Sequence, residues 1–317
     1  MFKNRLLLFR QISDQLKNMT KGSKPLPDIS SIKLNHKLVD IGCNLGHPSF
    51  KHDLEEVLQR ANQAGVEKIM ITGPNVSGSK EICELSRSKP GLFYFTAGVH
   101  PHEAKEFDNN TLSEISKLLK EPHCVASGEC GLDYNRMFST KDEQLICFEE
   151  QLKLACEFKK PLFLHEREAH EDMVRLLTKY QEQLPPAVIH CFTGTAEEAK
   201  QYISMGLYIG LTGFLAKDKS DNGVQHALKN RIIPLNRLMI ETDAPYMFCN
   251  IGNKKLKQIK EKMSEEAKAL HKYSSFERNE PCAMAAIVEV IAHFMGESVE
   301  KVAEETSRNS KLVFGLE

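Results

Sequence analysis

Leu38-Val39-Asp40-Ile41-Gly42-Cys43-Asn44-Leu45-Gly46 begins as a strand and ends as something other than a nucleotide-binding loop. The run Leu38–Cys43 is short and mostly aliphatic, and polar Asn44 and Gly46 stop it. A doubly wound open sheet usually places a glycine-rich phosphate loop directly after its first strand. Asp40-Ile41-Gly42-Cys43-Asn44-Leu45-Gly46 is not that fingerprint. The alternative for a parallel sheet starting here is a closed barrel, provided the strand recurs.

It recurs. Apolar runs of the same kind lie at Leu38–Cys43, Lys68–Thr72, Phe93–Val99, Val125–Glu129, Leu162–His165, Val188–Cys191, Leu207–Thr212 and Leu238–Thr242. They are mostly roughly 25–35 residues apart, the size of a βα unit. Helical stretches fill the gaps. Asp53 opens one with Val57, Leu58, Ala61 and Ala64 on a single face and Gly65 as its stop. Thr140 with Glu143, and Thr195 with Glu198, have the spacing of capping boxes. Pro281 suits the first turn of a late helix through Ile287, Val288 and Ile291. Eight such units from residue 38 to the end predict a single-domain (β/α)₈ TIM barrel, a fold of typically about 250 residues. The lysine-rich stretch 250–280 reads as a long loop over the barrel mouth.

The chain has 317 residues, 42 Lys+Arg against 43 Asp+Glu, a formal net charge of -1 and 41% hydrophobic residues. That composition excludes wholesale disorder, collagen and coiled coil. Runs such as Leu6-Leu7-Leu8-Phe9 fall far short of the roughly 20 residues of a membrane span. The nine cysteines are odd in number and never spaced C-x-x-C, so they read as free thiols of a reducing intracellular compartment. Residues 1–37 carry eight lysines and arginines against two aspartates, and the remainder is net acidic. The basic start reads equally as a mitochondrial presequence or as a disordered extension upstream of Met19, outside the fold at 38–317. Otherwise the expected location is cytoplasm or nucleus. A near-neutral total gives no overall attraction to nucleic acid.

Polar residues gather at the strand ends: Asp40 and Asn44; His100 and His102; Glu129 and Asp133; His165, Arg167 and His170; His190; Glu241 and Asp243. In a barrel all of these sit on the C-terminal rim, where active sites are built. Carboxylate and imidazole without a cysteine pair suit Mg²⁺, Mn²⁺ or Zn²⁺. His165 or His190 alone reads as a hydrogen-bonded core histidine. Together on successive strands, flanked by Glu129 and Asp243, they point to metal. His100-Pro101-His102 reads equally as a surface turn. Arg167 suits a salt bridge or an anionic substrate, and Glu241 suits a group supporting the ligands from behind. No G-x-S-x-G elbow and no Walker A loop is present.

These segments, with Ile71-Thr72-Gly73, Gly128-Glu129-Cys130-Gly131-Leu132-Asp133-Tyr134, His190-Cys191-Phe192-Thr193-Gly194-Thr195, Ile240-Glu241-Thr242-Asp243-Ala244-Pro245-Tyr246 and Arg278-Asn279-Glu280-Pro281, resemble the TatD family of metal-dependent deoxyribonucleases. The resemblance covers about residues 38–317. It implies that Glu129, His165, His190 and Asp243 bind a divalent metal, most often Mg²⁺, with Asp243 orienting or deprotonating the attacking water. It implies further that His100 and His102 contact the phosphate and that Arg167 and Arg278, with Asn44, hold the substrate. The implied activity is 3′→5′ exonuclease action on single-stranded DNA, with RNA a further substrate and roles in DNA repair or apoptotic DNA degradation. Two departures stand out. Gly42-Cys43-Asn44 replaces the wider superfamily's His-x-His, as in the DIGxNL branch, which weakens a second metal site. Glu166 stands where the family more often has cysteine. The competing expectations are a metal-dependent amidase, lactonase or deacylase on the same barrel, or a scaffold without turnover.

Overall fold

The computed structural model describes residues 26–316. Eight strands form one parallel sheet in chain order: β1 Leu38–Cys43, β2 Val66–Ile71, β3 Phe93–Ala97, β4 Cys124–Asp133, β5 Leu162–Arg167, β6 Ala187–Ile189, β7 Tyr208–Leu211 and β8 Leu238–Ile240. The helices are α1 Leu54–Gln63, α2 Val76–Arg87, α3 Asn109–Leu118, α4 Lys141–Phe158, α5 His170–Lys179, α6 Ala196–Ser204, α7 Val224–Lys229, α8 Lys257–Lys262, α9 Glu265–His271, α10 Met284–Met295 and α11 Val299–Phe314. This is the expected (β/α)₈ barrel. Both capping boxes form: Thr140 and Thr195 each accept from the backbone of Glu143 and Glu198, which bond back.

Two apolar layers hold it. The larger lies between strands and helices. The smaller fills the barrel, where Val39, Ile41, Met70, Tyr94, Val125, Phe163, Val188 and Met239 meet Val313, Phe314 and Leu316. The chain's C-terminal segment thereby plugs the end of the barrel opposite the rim.

The barrel shuts without a regular β8–β1 ladder. Asp243 N donates to Gly42 O at 2.8 Å, Asn44 N to Ala244 O at 2.7 Å, and Cys43 bridges Ala244. Asp40 completes this seam: its carboxyl accepts from Thr242 N at 2.9 Å, Thr242 Oγ1 at 2.5 Å and Gly42 N at 3.3 Å. The rim role expected for Asp40 is therefore replaced by a structural one. Burial, set against the bonds from Thr242, pushes its pKa up to about 8. Asp40→Ala leaves three buried donors unpaired and is expected to cost about 2–4 kcal/mol in urea unfolding. Asp40→Asn costs less than half of that, because the site already favours a neutral side chain.

Two expectations are corrected. The 250–280 loop contains α8 and α9, with Leu256, Ile259, Met263, Ala267 and Leu270 buried beneath the lysines. The end of the basic extension is not outside the fold. Ile29 is buried, its carbonyl takes Gln63 Nε2 at 2.7 Å, Leu34 N bonds Gln63 O at 2.8 Å and Tyr273 OH bonds Pro27 O at 2.7 Å. The reading of the first 25 residues lies outside the described residues. All nine cysteines are free. No single helix among the described residues is long and apolar enough to cross a membrane.

Candidate active site

Glu129 is the hub. Its Oε1 lies 2.8 Å from His165 Nδ1, 2.8 Å from His190 Nε2 and 3.2 Å from His100 Nε2. Strands β3, β4, β5 and β6 thus deliver four side chains, far apart in sequence, to one point. Burial alone would raise the Glu129 carboxyl, but the charge of His190 and the hydrogen bonds of His100 and His165 hold it well below the usual range.

Asp133 makes a second layer. Its Oδ2 lies 2.8 Å from His102 Nε2 and 3.2 Å from His165 Nε2, while Oδ1 takes Asn135 N at 3.0 Å and Arg136 N at 2.8 Å. His165 is thereby gripped at both nitrogens. Burial opposes its protonation, and the bonds to Asp133 and Glu129 outweigh that and raise its pKa.

Within the His-Pro-His turn, one rim histidine is bonded to the backbone of the other. His100 Nδ1 accepts the backbone N–H of His102 at 3.0 Å. The neutral ring therefore carries its proton on Nε2, aimed at Glu129. Burial keeps it neutral, against the pull of Glu129. His190 is oriented from behind: Nδ1 faces Glu241 Oε2 at 3.3 Å, and the Phe163 ring stacks on it at 4.4 Å. Glu241 also accepts from Cys191 N. A carboxylate behind an imidazole fixes its tautomer and leaves the other nitrogen free for the pocket. Glu241 is fully buried, and it fits because two glycines make room. A Cβ on Gly42 would come within 2.1 Å of Glu241 Oε2, and one on Gly210 within 2.6 Å of Oε1.

Asp243 faces the same pocket from the other side of the seam. Asn44 Nδ2 donates to its Oδ1 at 3.0 Å. Burial, with the negative charges of Glu129 and Glu241 and against the charge of His190, pushes its pKa up to about 7. Asn44, expected on the substrate, instead holds Asp243.

Arg167 ends β5 on the same side as His165, and makes no ion pair among the described residues, so it is available to an anion. Arg278 is not. Its guanidinium is bonded to Ser49 O at 3.0 Å, to both oxygens of Asp53 at 2.9 and 2.7 Å, and to Glu280 at 2.5 Å. The substrate-holding role expected for Arg278 gives way to a tie between α1 and the segment before α10. His170 turns away, with Nε2 2.8 Å from Gln201 Oε1. Glu166, the second departure, points from the pocket as well, accepting Ala169 N at 2.8 Å.

Sequence reasoning missed two buried glutamines of α4. Gln151 bonds both N and O of Val99, at 2.7 and 3.1 Å, beside His100. Gln144 bonds both N and O of Asp133, at 2.8 and 3.0 Å. Each replaces a strand partner where the rim loops leave the sheet. Their signal was polar residues on the buried face of an otherwise apolar helix.

The donor set fits a divalent cation. Ligand atoms of His100, Glu129 and His165 lie within 4.8 Å of one another, His190 Nε2 shares the same Glu129 oxygen, and the buried Asp243 carboxyl lacks a cationic side chain in hydrogen-bond contact. Mixed carboxylate and imidazole ligands are those of Mg²⁺, Mn²⁺ and Zn²⁺ sites.

Residues 39–315 match the family described as TatD related DNase. The chain is 37% identical over 279 residues to the 3′-5′ ssDNA/RNA exonuclease TatD of Erwinia billingiae, covering 88% of this chain and 99% of that one. The protein of the same name from Edwardsiella piscicida is 38% identical and fully covered, over 88% of this chain. Among solved structures, a TatD homologue from Escherichia coli superposes with a TM-score of 0.76 at 26% identity, covering 90% of this chain and 100% of the other. A TatD family hydrolase from Entamoeba histolytica gives 0.75 at 28%, covering 89% and 99%. A barrel with this rim of acids and imidazoles, matched from first strand to last helix, places the chain in the TatD-related DNase family, as a nuclease built on a (β/α)₈ barrel.

Proposed function

We propose that the chain is a divalent-metal-dependent 3′→5′ exonuclease of single-stranded DNA and RNA, with Mg²⁺ or Mn²⁺ held by Glu129, His165, His190 and Asp243. The convergence of three imidazoles on one Glu129 oxygen carries this reading, and the bacterial relatives named as 3′-5′ ssDNA/RNA exonucleases support it. When bound, the ion supplies Lewis acidity to a phosphoryl oxygen and makes a nearby water easier to deprotonate.

The residues divide the remaining work. Asp243, whose buried carboxyl readily takes a proton, accepts one from the attacking water. His100, neutral and with its proton on Nε2, donates to the phosphoryl oxygen where charge develops. His102, fixed by Asp133, lines the same wall. Arg167 holds the neighbouring phosphate. His100 reads as a donor because a ring whose Nδ1 already accepts a hydrogen bond has no lone pair left at Nε2 while neutral.

The test is digestion of end-labelled single-stranded, double-stranded and RNA oligonucleotides, with Mg²⁺, Mn²⁺ or EDTA. The expected result is stepwise shortening from the 3′ end of single strands that EDTA abolishes. Cleavage that persists in EDTA, or no cleavage with either metal, overturns the reading.

A further inference from the structure

Three aromatic rings stand out of the surface: Phe138 is 61% exposed, Tyr246 54% and Phe276 64%. All three belong to connections that leave the C-terminal ends of strands. Phe276 has partners, with Phe248 4.9 Å away and the Lys217 ammonium above it at 5.9 Å. Phe138 and Tyr246 are different, because Phe138 packs on the site residue His102 and Tyr246 sits in the turn that begins at Asp243.

Phe138 follows β4, and its ring meets His102 edge-on at 4.9 Å. Tyr246 follows β8, in the turn closed by its own N–H to Asp243 O at 2.8 Å, and meets His47 edge-on at 5.8 Å. Strands β4 and β8 are half a turn apart in a ring of eight, so the two rings stand on opposite walls of the mouth. Beyond burial, Asp243 raises the Tyr246 phenol, and Arg136 on the opposite wall lowers it. Arg136 is exposed two residues before Phe138. Like Arg167, it makes no ion pair among the described residues, in contrast to Arg60 and Arg278. Two largely exposed rings and two guanidiniums without an ion pair among the described residues, around the floor of a nuclease site, match the parts of a nucleotide: flat base, anionic link.

We propose that Phe138 and Tyr246 form a base clamp that stacks the unpaired nucleobases flanking the scissile phosphate, with Arg136 and Arg167 holding the backbone between them. The clamp rests on the nuclease reading above. Stacking is tolerant of sequence, because every base has a π face. It demands a single strand, because a paired base presents neither face until it leaves its stack. The clamp therefore selects unpaired ends by geometry, on a net acidic barrel that does not draw in a duplex.

The experiment uses the full chain with Mn²⁺ and two substrates: a single-stranded oligonucleotide, and the same backbone made abasic at its last three 3′ positions. Wild type is expected to show a KM roughly 10-fold or more higher for the abasic strand. Phe138→Ala and Tyr246→Ala each raise KM for the ordinary strand roughly 10-fold, alter kcat little, and leave KM for the abasic strand where it was. Phe138→Tyr and Tyr246→Phe, which keep a ring, rescue the low KM. Equal KM values for the two substrates in wild type overturn the clamp while leaving the nuclease reading standing. So does an equal rise on both substrates in the alanine variants, which would assign the rings to backbone or fold. Cleavage of neither substrate by wild type overturns the nuclease reading and the clamp with it.

Discussion

Glu129→Gln is expected to lower hydrolysis of single-stranded DNA by about 10³-fold or more, equivalent to about 4 kcal/mol of barrier, while the barrel stays folded. The substitution keeps the shape of the side chain and removes its charge. Three imidazole nitrogens lie within 3.2 Å of Glu129 Oε1, and the amide offers them a neutral oxygen or an N–H donor. Either choice fails. With oxygen inward, nothing offsets protonated imidazoles or binds a dication strongly. With nitrogen inward, the amide meets His165 and His190 donor against donor.

Two measurements separate this from damage to the fold. Far-UV circular dichroism of Glu129→Gln should match wild type, because glutamine keeps the size and shape of the side chain. Calorimetric titration with Mn²⁺ should show affinity reduced at least about 100-fold. Cleavage at the wild-type rate by this variant would overturn the assignment of Glu129.

The parts of this site that were legible in the sequence share one cause. In a parallel barrel the C-terminal end of every strand reaches the rim, so Glu129, His165 and His190 were legible as a set on successive strands, where either histidine alone reads as a core residue. What was not legible depends on pairing across the chain. Asp40 has the look of a rim acid, yet it closes the seam with Thr242, 202 residues away. Arg278 looks like a phosphate-binding cation until Asp53 and Glu280 are seen on either side of it. Asn44 looks like a substrate contact until Asp243 is placed beside it. In α8 and α9 the lysines masked an apolar periodicity that becomes evident only with Leu256, Ile259 and Met263 buried. Charge likewise misjudged residues 26–37, where Ile29 and the backbone of Leu34, rather than the lysines, make the contacts.

Asp243→Asn is expected to pull activity and stability in opposite directions. The side chain is partly buried, and desolvation with Glu129 and Glu241 nearby pushes its pKa up to about 7 from 3.8. In the metal-free protein the charged form is therefore a cost to the fold. Below pH 4 the group is protonated folded and unfolded, and contributes nothing. As pH rises from about 4 to about 7 the unfolded chain ionises first, so stability falls, and above pH 7 the penalty is complete. Asparagine keeps the oxygen that accepts from Asn44 and never ionises. Asp243→Asn in EDTA should therefore be more stable than wild type by roughly 2–4 kcal/mol above pH 7, with the difference vanishing near pH 4 in urea titrations. The same change removes the proton acceptor for the attacking water, and single-strand cleavage with Mn²⁺ should fall by roughly 10²–10⁴-fold. Loss of both activity and stability at pH 8 would mean that Asp243 is a structural acid whose charge is satisfied within the fold. Loss of activity with gained stability is the pattern of a strained group retained for chemistry.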